Sequence, residues 1–140
     1  MITLKYPIEG GNFTNAGYAS SQVKKALKQL NIDAKLIKKV VVALYEGEVN
    51  IVAHATKGMV EVFITPLEVK MILTDQGKGI ENVELAMKEG YSTASQEVRE
   101  MGFGAGMGLP NIKKNVDQLS IESIVGVGTT LTMTKHIANA

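Results

Sequence analysis

Two stretches of the chain combine side chains and backbone suited to handling a phosphate. Asp75-Gln76-Gly77-Lys78-Gly79 follows the strand-like run Val69-Lys70-Met71-Ile72-Leu73-Thr74, so Asp75 stands where a strand gives way to a tight turn. Further on, Gly102-Phe103-Gly104-Ala105-Gly106-Met107-Gly108 has glycine at every second position and runs into Leu109-Pro110. Such glycines let backbone N–H groups approach a ligand closely. A helix starting at Pro110, a residue suited to a first helical position, would add partial positive charge. Taken alone, the glycine run reads equally well as a surface loop. Arg99 is the only arginine in the chain and falls just ahead of that run. It is the place to look for a guanidinium aimed at a phosphate, although a lone arginine on a loop is also an ordinary surface feature.

A third group lies upstream. Glu46, Asn50 and His54 are spaced four apart, which puts them on one face of a helix. They interrupt an otherwise apolar segment, where a carboxylate, an amide and an imidazole need partners. One reading is a local ladder, with Asn50 bonded to Glu46 and His54 capping the helix end. The other is a site wall: Asn50 offers an oxygen to a hard cation such as Mg²⁺, and Glu46 takes a proton from a hydroxyl or water aimed at phosphorus. With no further histidine nearby, the three do not form a zinc ligand set.

Composition limits what these groups can serve. At 140 residues and 45% apolar, the chain reads as one domain, 1–140, with a real core and not as a disordered segment. A formal net charge of +1 argues against a protein built to grip nucleic acid. The absence of cysteine removes disulfides and thiolate metal sites. No apolar run is long enough to span a bilayer, and residues 1–20 lack a signal-like segment, so the expected location is cytoplasmic.

The elements that would position these groups follow from periodicity. Thr3–Ile8 alternates as a short strand, kept to an edge by Pro7. Phe13–Leu30 has the helical period, with lysines outward and Gly17 as a weak point. After a break with Asp33 as a possible cap, a second helix runs from Ala34 to about Ala55, apolar almost all round at Val40–Tyr45, and Thr56-Lys57-Gly58 ends it. Met59–Thr65 and Glu68–Thr74 read as a hairpin around Pro66-Leu67. Glu81–Glu89 is a short helix, and 91–107 has no firm period, the length of a functional loop or lid. Pro110–Leu119 is a helix, and Ser120–Val125 and Thr129–Lys135 are strands around Gly126-Val127-Gly128. No strand leads directly through GxGxxG into a helix, and the Gly-Lys-Ser/Thr ending of a P-loop is missing, so neither a Rossmann nor a P-loop site is expected.

In order and spacing, four segments resemble the ATP-binding boxes of the GHKL superfamily, which includes DNA gyrase B, Hsp90, histidine-kinase catalytic domains and MutL. They are Glu46-Gly47-Glu48-Val49-Asn50, Asp75-Gln76-Gly77-Lys78-Gly79, Gly104-Ala105-Gly106-Met107-Gly108-Leu109 and Gly126-Val127-Gly128-Thr129-Thr130. Within the superfamily, Glu84–Thr93 with Gly106–Pro110 is similar to the small bacterial serine/threonine kinases of anti-sigma and stress-switch systems. The resemblance implies an α/β two-layer sandwich of the Bergerat type, a mixed, mostly antiparallel sheet covered on one face by helices. It implies ATP with Mg²⁺: Glu46 as general base, Asn50 as metal ligand, and Asp75 accepting the adenine amino group. Gly77 and Gly79 would shape the turn under the base. Gly104, Gly106 and Gly108 would form the phosphate-side loop with Leu109 at the helix entrance, and Thr130 would contact adenine or a water held by Asp75. Sporulation-type relatives place an arginine just before the glycine box, where this chain has Phe103 or Gly104. Either Arg99, Lys78 or the partner would then supply that charge, or phosphoryl transfer would be weak. The implied partners are an antagonist-type protein substrate and a sigma factor or other regulator, with a homodimer left open and no nucleic acid or membrane. A nucleotide-regulated binding module and a small ATPase using water are the alternatives.

Overall fold

The computed structural model of the chain describes residues 1–87 and 108–137. In order these form β1 (Ile2–Glu9), a 3-10 turn (Phe13–Asn15), α1 (Tyr18–Gln29), α2 (Ala34–His54), β2 (Ala55–Ile64), β3 (Glu68–Gly77), α3 (Val83–Ala86), α4 (Gly108–Asn115), β4 (Gln118–Ile124) and β5 (Gly128–His136). The strands make one sheet in the order β1-β2-β3-β5-β4. Among the described residues every pairing is antiparallel, which narrows the expected mixed sheet to one hand of pairing. The short turns between β2 and β3 and between β4 and β5 require this of those two pairs, since a parallel pair needs a long crossover.

Strict alternation gives the sheet one apolar face. Val60, Leu73 and Leu131 stand in one cross-strand row, and Val62, Met71 and Met133 in the next. All six are buried, and so are Val40, Leu44 and Ile51 of α2 and Val23 and Leu27 of α1, which join them in a single apolar cluster. Burying a side chain of this size stabilises by about 1.5–3 kcal/mol, so this layer dominates the fold. Gly47 explains itself here. A Cβ at that position would sit 2.6 Å from Leu73 Cδ2, so the bare glycine lets α2 lie close against β3.

Several boundaries differ from the periodicity. The strand expected to end at Thr74 runs on to Gly77, so Asp75 lies inside β3 and the bend follows at Lys78. The helix expected over 110–119 ends at Asn115, with β4 already begun at Gln118. The expected helix over 13–30 is divided at Gly17, whose φ of +98° lies in the left-handed region and breaks the helical path before α1. Asp33 stands at the N-cap of α2 without a side-chain cap bond. α2 passes into β2 at Ala55 without a loop, and Thr56, Lys57 and Gly58 are strand residues. Gly10 N–H donates to Thr56 O at 2.8 Å, and Gly58 leaves room for Ile51, so both sides of this junction are occupied. No helix among the described residues is long and apolar enough to cross a membrane.

Candidate functional site

The helix α2 supplies one wall. Glu46 and Asn50 stay partly exposed on a helix whose neighbours Gly47, Glu48, Val49, Ile51 and Val52 are buried. Their face turns toward α4. Asn111 Nδ2 of α4 donates to Glu46 Oε1 at 3.4 Å, and Gly108, the first residue of α4, lies so close to Asn50 that a Cβ there would come 3.1 Å from Oδ1. Among the described residues the Asn50 side chain has no hydrogen-bond partner, so the ladder from Asn50 to Glu46 is not formed. An amide oxygen without a partner and a carboxylate one turn away are hard oxygen donors, the chemistry that suits Mg²⁺. No group of three or more His, Cys, Asp or Glu able to hold a metal occurs among the described residues.

The opposite wall is the end of β3. Asp75 shares the helix-facing side with Leu73 and is half-buried, and its Oδ1 accepts Thr129 N–H at 3.1 Å. Burial pushes the Asp75 carboxyl above its ordinary 3.8, and the Thr129 hydrogen bond opposes that shift. The turn that follows is stitched to the β4–β5 hairpin. Gly77 N–H donates to Val127 O at 3.1 Å, Gly126 N–H to Lys78 O at 2.9 Å, and Ile80 N–H to Ser123 Oγ at 2.7 Å. Gly79 has a φ of +76°, and a side chain there would meet Ile124 O at 2.5 Å, so this position requires glycine twice over. Gly77 is pressed against His54 O and Ala55. The hairpin thus places the end of β3 directly beside the C-terminal end of α2.

Thr130 does not reach this side. It pairs with Thr74 and Glu122, both exposed on the sheet face away from the helices. Its neighbour Thr129 is the residue on the helix-facing side, buried and bonded to Asp75. Strand alternation separates two adjacent threonines in this way, and the register depends on Gly128, whose missing side chain lets it touch Asp75. α4 is already helical at Gly108, two residues ahead of the proline. Leu109 is buried at that helix entrance. Gly104, Gly106, Arg99 and the expected lid over 91–107 lie outside the described residues.

His54 ends α2. Burial, and then the positive charge of Lys78, hold its imidazole below the usual 6.5, which keeps it neutral at pH 7. Three further residues take roles that the motifs did not assign to them. Asn111 touches the candidate base, and Ser123 joins the turn to β5. Glu48, at 1% exposure, is surrounded by donors: Oε2 accepts Gly17 N–H at 2.9 Å and Ala19 N–H at 3.2 Å, and Oε1 accepts Ser20 N–H at 3.1 Å and Ser20 Oγ at 2.7 Å. A single hint existed for Glu48, a second acid in the middle of an apolar helix.

Residues 14–135 match the family model of the histidine kinase-like ATPase domain. The anti-sigma F factor of Caldanaerobacter subterraneus is 32% identical over 128 residues, 88% of this chain and 86% of that protein. The serine/threonine-protein kinase RsbT of Bacillus subtilis is 30% identical over 103 residues, 71% of each. Among solved structures, the RsbU and RsbW domains of a Mycobacterium tuberculosis protein superpose over the whole of this chain with a TM-score of 0.68 at 18% identity. This chain spans 34% of that one. The mycobacterial sensor histidine kinase MprB superposes over 95% of this chain and 97% of its own with a TM-score of 0.55 at 17% identity.

Proposed function

This chain belongs to the histidine kinase-like ATPase domain family, and from that premise we propose that it is a cytoplasmic protein kinase, one domain over 1–140, that uses ATP and Mg²⁺ to phosphorylate a serine or threonine of an antagonist-type protein in an anti-sigma or switch system. The observation that carries the reading is the shared face of Glu46 and Asn50, turned to the start of α4 and set beside the end of β3 where Asp75 stands. Asp75 accepts the adenine amino group, above a turn shaped by Gly77 and Gly79. Backbone N–H groups of Gly104, Gly106 and Gly108 receive the phosphates, and Leu109 closes the helix entrance. Thr129, in place of Thr130, completes the base edge. Asn50 offers its oxygen to Mg²⁺, which when bound offsets charge on the triphosphate.

Glu46 is placed to orient the acceptor hydroxyl and take its proton. The hydroxyl oxygen bonds to the γ-phosphorus as the bond from that phosphorus to the β,γ-bridging oxygen breaks, and ADP leaves. Positioning and charge stabilisation do most of the work in such a transfer. Arg99 is the candidate for a guanidinium on the γ-phosphate.

The test is incubation with γ-labelled ATP, Mg²⁺ and the proteins encoded beside this chain. Label should appear on one partner, and Glu46→Ala should reduce the rate by about a hundredfold to ten-thousandfold with ADP affinity retained. Equal transfer by E46A removes the base role. Relatives named anti-sigma F factor favour a second reading, in which a sigma factor is held in a nucleotide-dependent complex. A stable complex without label on any partner would select it over the kinase, and release of free labelled phosphate would select an ATPase.

A further inference from the structure

Ser123 lies on β4, outside the four segments that resemble ATP-binding boxes, and its hydroxyl meets three groups at the base edge of the site. It accepts Ile80 N–H at 2.7 Å, lies 2.9 Å from Thr129 Oγ1, and lies 3.3 Å from Gly128 O. Ser123 and Thr129 are direct cross-strand partners, so the contact is built into the sheet register. Thr129 in turn holds Asp75 through its backbone N–H.

A serine hydroxyl has one proton and two lone pairs. Ile80 N–H occupies one lone pair. Gly128 O can only accept, so it takes the proton. The contact to Thr129 must then use the second lone pair, and Thr129 is the donor. This is the only assignment that satisfies all three neighbours. With its proton committed to Ser123, the Thr129 hydroxyl has only lone pairs to offer the site. Asp75 Oδ1 accepts Thr129 N–H, and both oxygens of the ionised carboxylate can only accept.

We propose that Ser123 is a positioning and specificity residue that fixes the Thr129 hydroxyl as an acceptor, so that Asp75 and Thr129 present a purely accepting edge to the purine. The inference rests on the nucleotide reading above. Set against the 6-substituent, an accepting edge favours a 6-amino group, directly or through a water that donates, and disfavours O6, which would face lone pairs there. Removing the Ser123 oxygen frees the Thr129 proton and turns part of the edge into a donor, which welcomes O6.

The experiment is calorimetric titration of the parent, Ser123→Ala and Ser123→Thr with ADP and with inosine diphosphate, each with Mg²⁺, after circular dichroism has confirmed folding. The parent should prefer ADP. S123A should weaken ADP by about three- to tenfold, the worth of one hydrogen bond, and narrow the ADP-to-inosine-diphosphate ratio by a similar factor. S123T, which keeps a hydroxyl, should restore the ratio. If S123A weakens both nucleotides equally, Ser123 is a structural strut only and the proposal is wrong. An unchanged ratio with unchanged affinities also overturns it. Failure of the parent to bind ADP would overturn the nucleotide reading itself, which the parent titration reveals separately. Should S123A fail to fold, Thr129→Val supplies the second variant. It removes the same acceptor, and a preserved ratio there likewise overturns the proposal.

Discussion

Glu46 and Glu48 are two residues apart on α2, and the helix turns them to opposite sides. Glu48 faces α1, at 1% exposure, and accepts four hydrogen bonds from Gly17, Ala19 and Ser20. It does for α1 what an N-cap side chain does, from a different helix: it satisfies N–H groups that the first turn leaves without partners, and its negative charge suits that end of the dipole. The Gly17 N-cap of α1 makes no side-chain cap bond of its own, so the task falls to Glu48. Glu46 faces α4, is half-buried, and has one long contact from Asn111. A carboxylate with every lone pair taken has little left to offer a ligand. One with free lone pairs beside an unpartnered amide is placed for chemistry. Identical side chains on one helix thus divide between holding the fold and serving the site.

Breaking the buried member should have the largest effect on stability. Glu48→Ala leaves several donors buried without acceptors, so denaturant unfolding should show a loss of about 3 kcal/mol or more. A loss below about 1 kcal/mol would show that water replaces the carboxylate and that the two acids differ less than their surroundings indicate. Glu46→Ala is the complement. Its unfolding free energy should move by about 0.5 kcal/mol or less, while phosphoryl transfer falls as described above. A large destabilisation by E46A would place Glu46 with Glu48 as a structural residue.

A smaller effect concerns His54 at the end of the same helix. Its pKa is lower in the folded state than the ordinary 6.5, through burial first and Lys78 second. Below about 6.5 the unfolded chain therefore binds more protons than the native one, and stability falls as pH drops through that value toward the folded pKa. The contribution is fully present above it. His54→Gln should flatten this part of the stability–pH curve and leave the neutral-pH value little changed. A parent curve that rises as pH drops from 7 to 5.5 would contradict the assignment.

What the sequence disclosed and what it withheld follow the range of the interactions. The strands on either side of Pro66-Leu67, the long apolar α2 and the shared face of Glu46 and Asn50 are local patterns of period or spacing, and all are present, whereas the turn expected at Asp75 comes only after β3 ends at Gly77. The role of Glu48 depends on donors 28 to 31 residues away, which no local pattern encodes. The choice of Thr129 over Thr130 depends on the β5 register, set by the approach of Gly128 to Asp75. The break at Gly17 follows from its left-handed φ of +98°, which the apolar period does not reveal.

The central claim is that the end of β3 reads a purine, and one titration tests it directly. Asp75 has one oxygen committed to Thr129 N–H, leaving the other for the amino group of adenine. In Asp75→Asn one of those two positions becomes an NH₂, which sets donor against donor at either Thr129 or the base. ADP titrated into the parent with Mg²⁺ should bind, and D75N should bind at least about tenfold more weakly, the cost of a hydrogen bond to a charged acceptor. Because burial raises the Asp75 pKa above 3.8, parent affinity should also begin to fall, as pH is lowered, at a pH above that value. Equal ADP affinity for D75N and the parent would contradict the account.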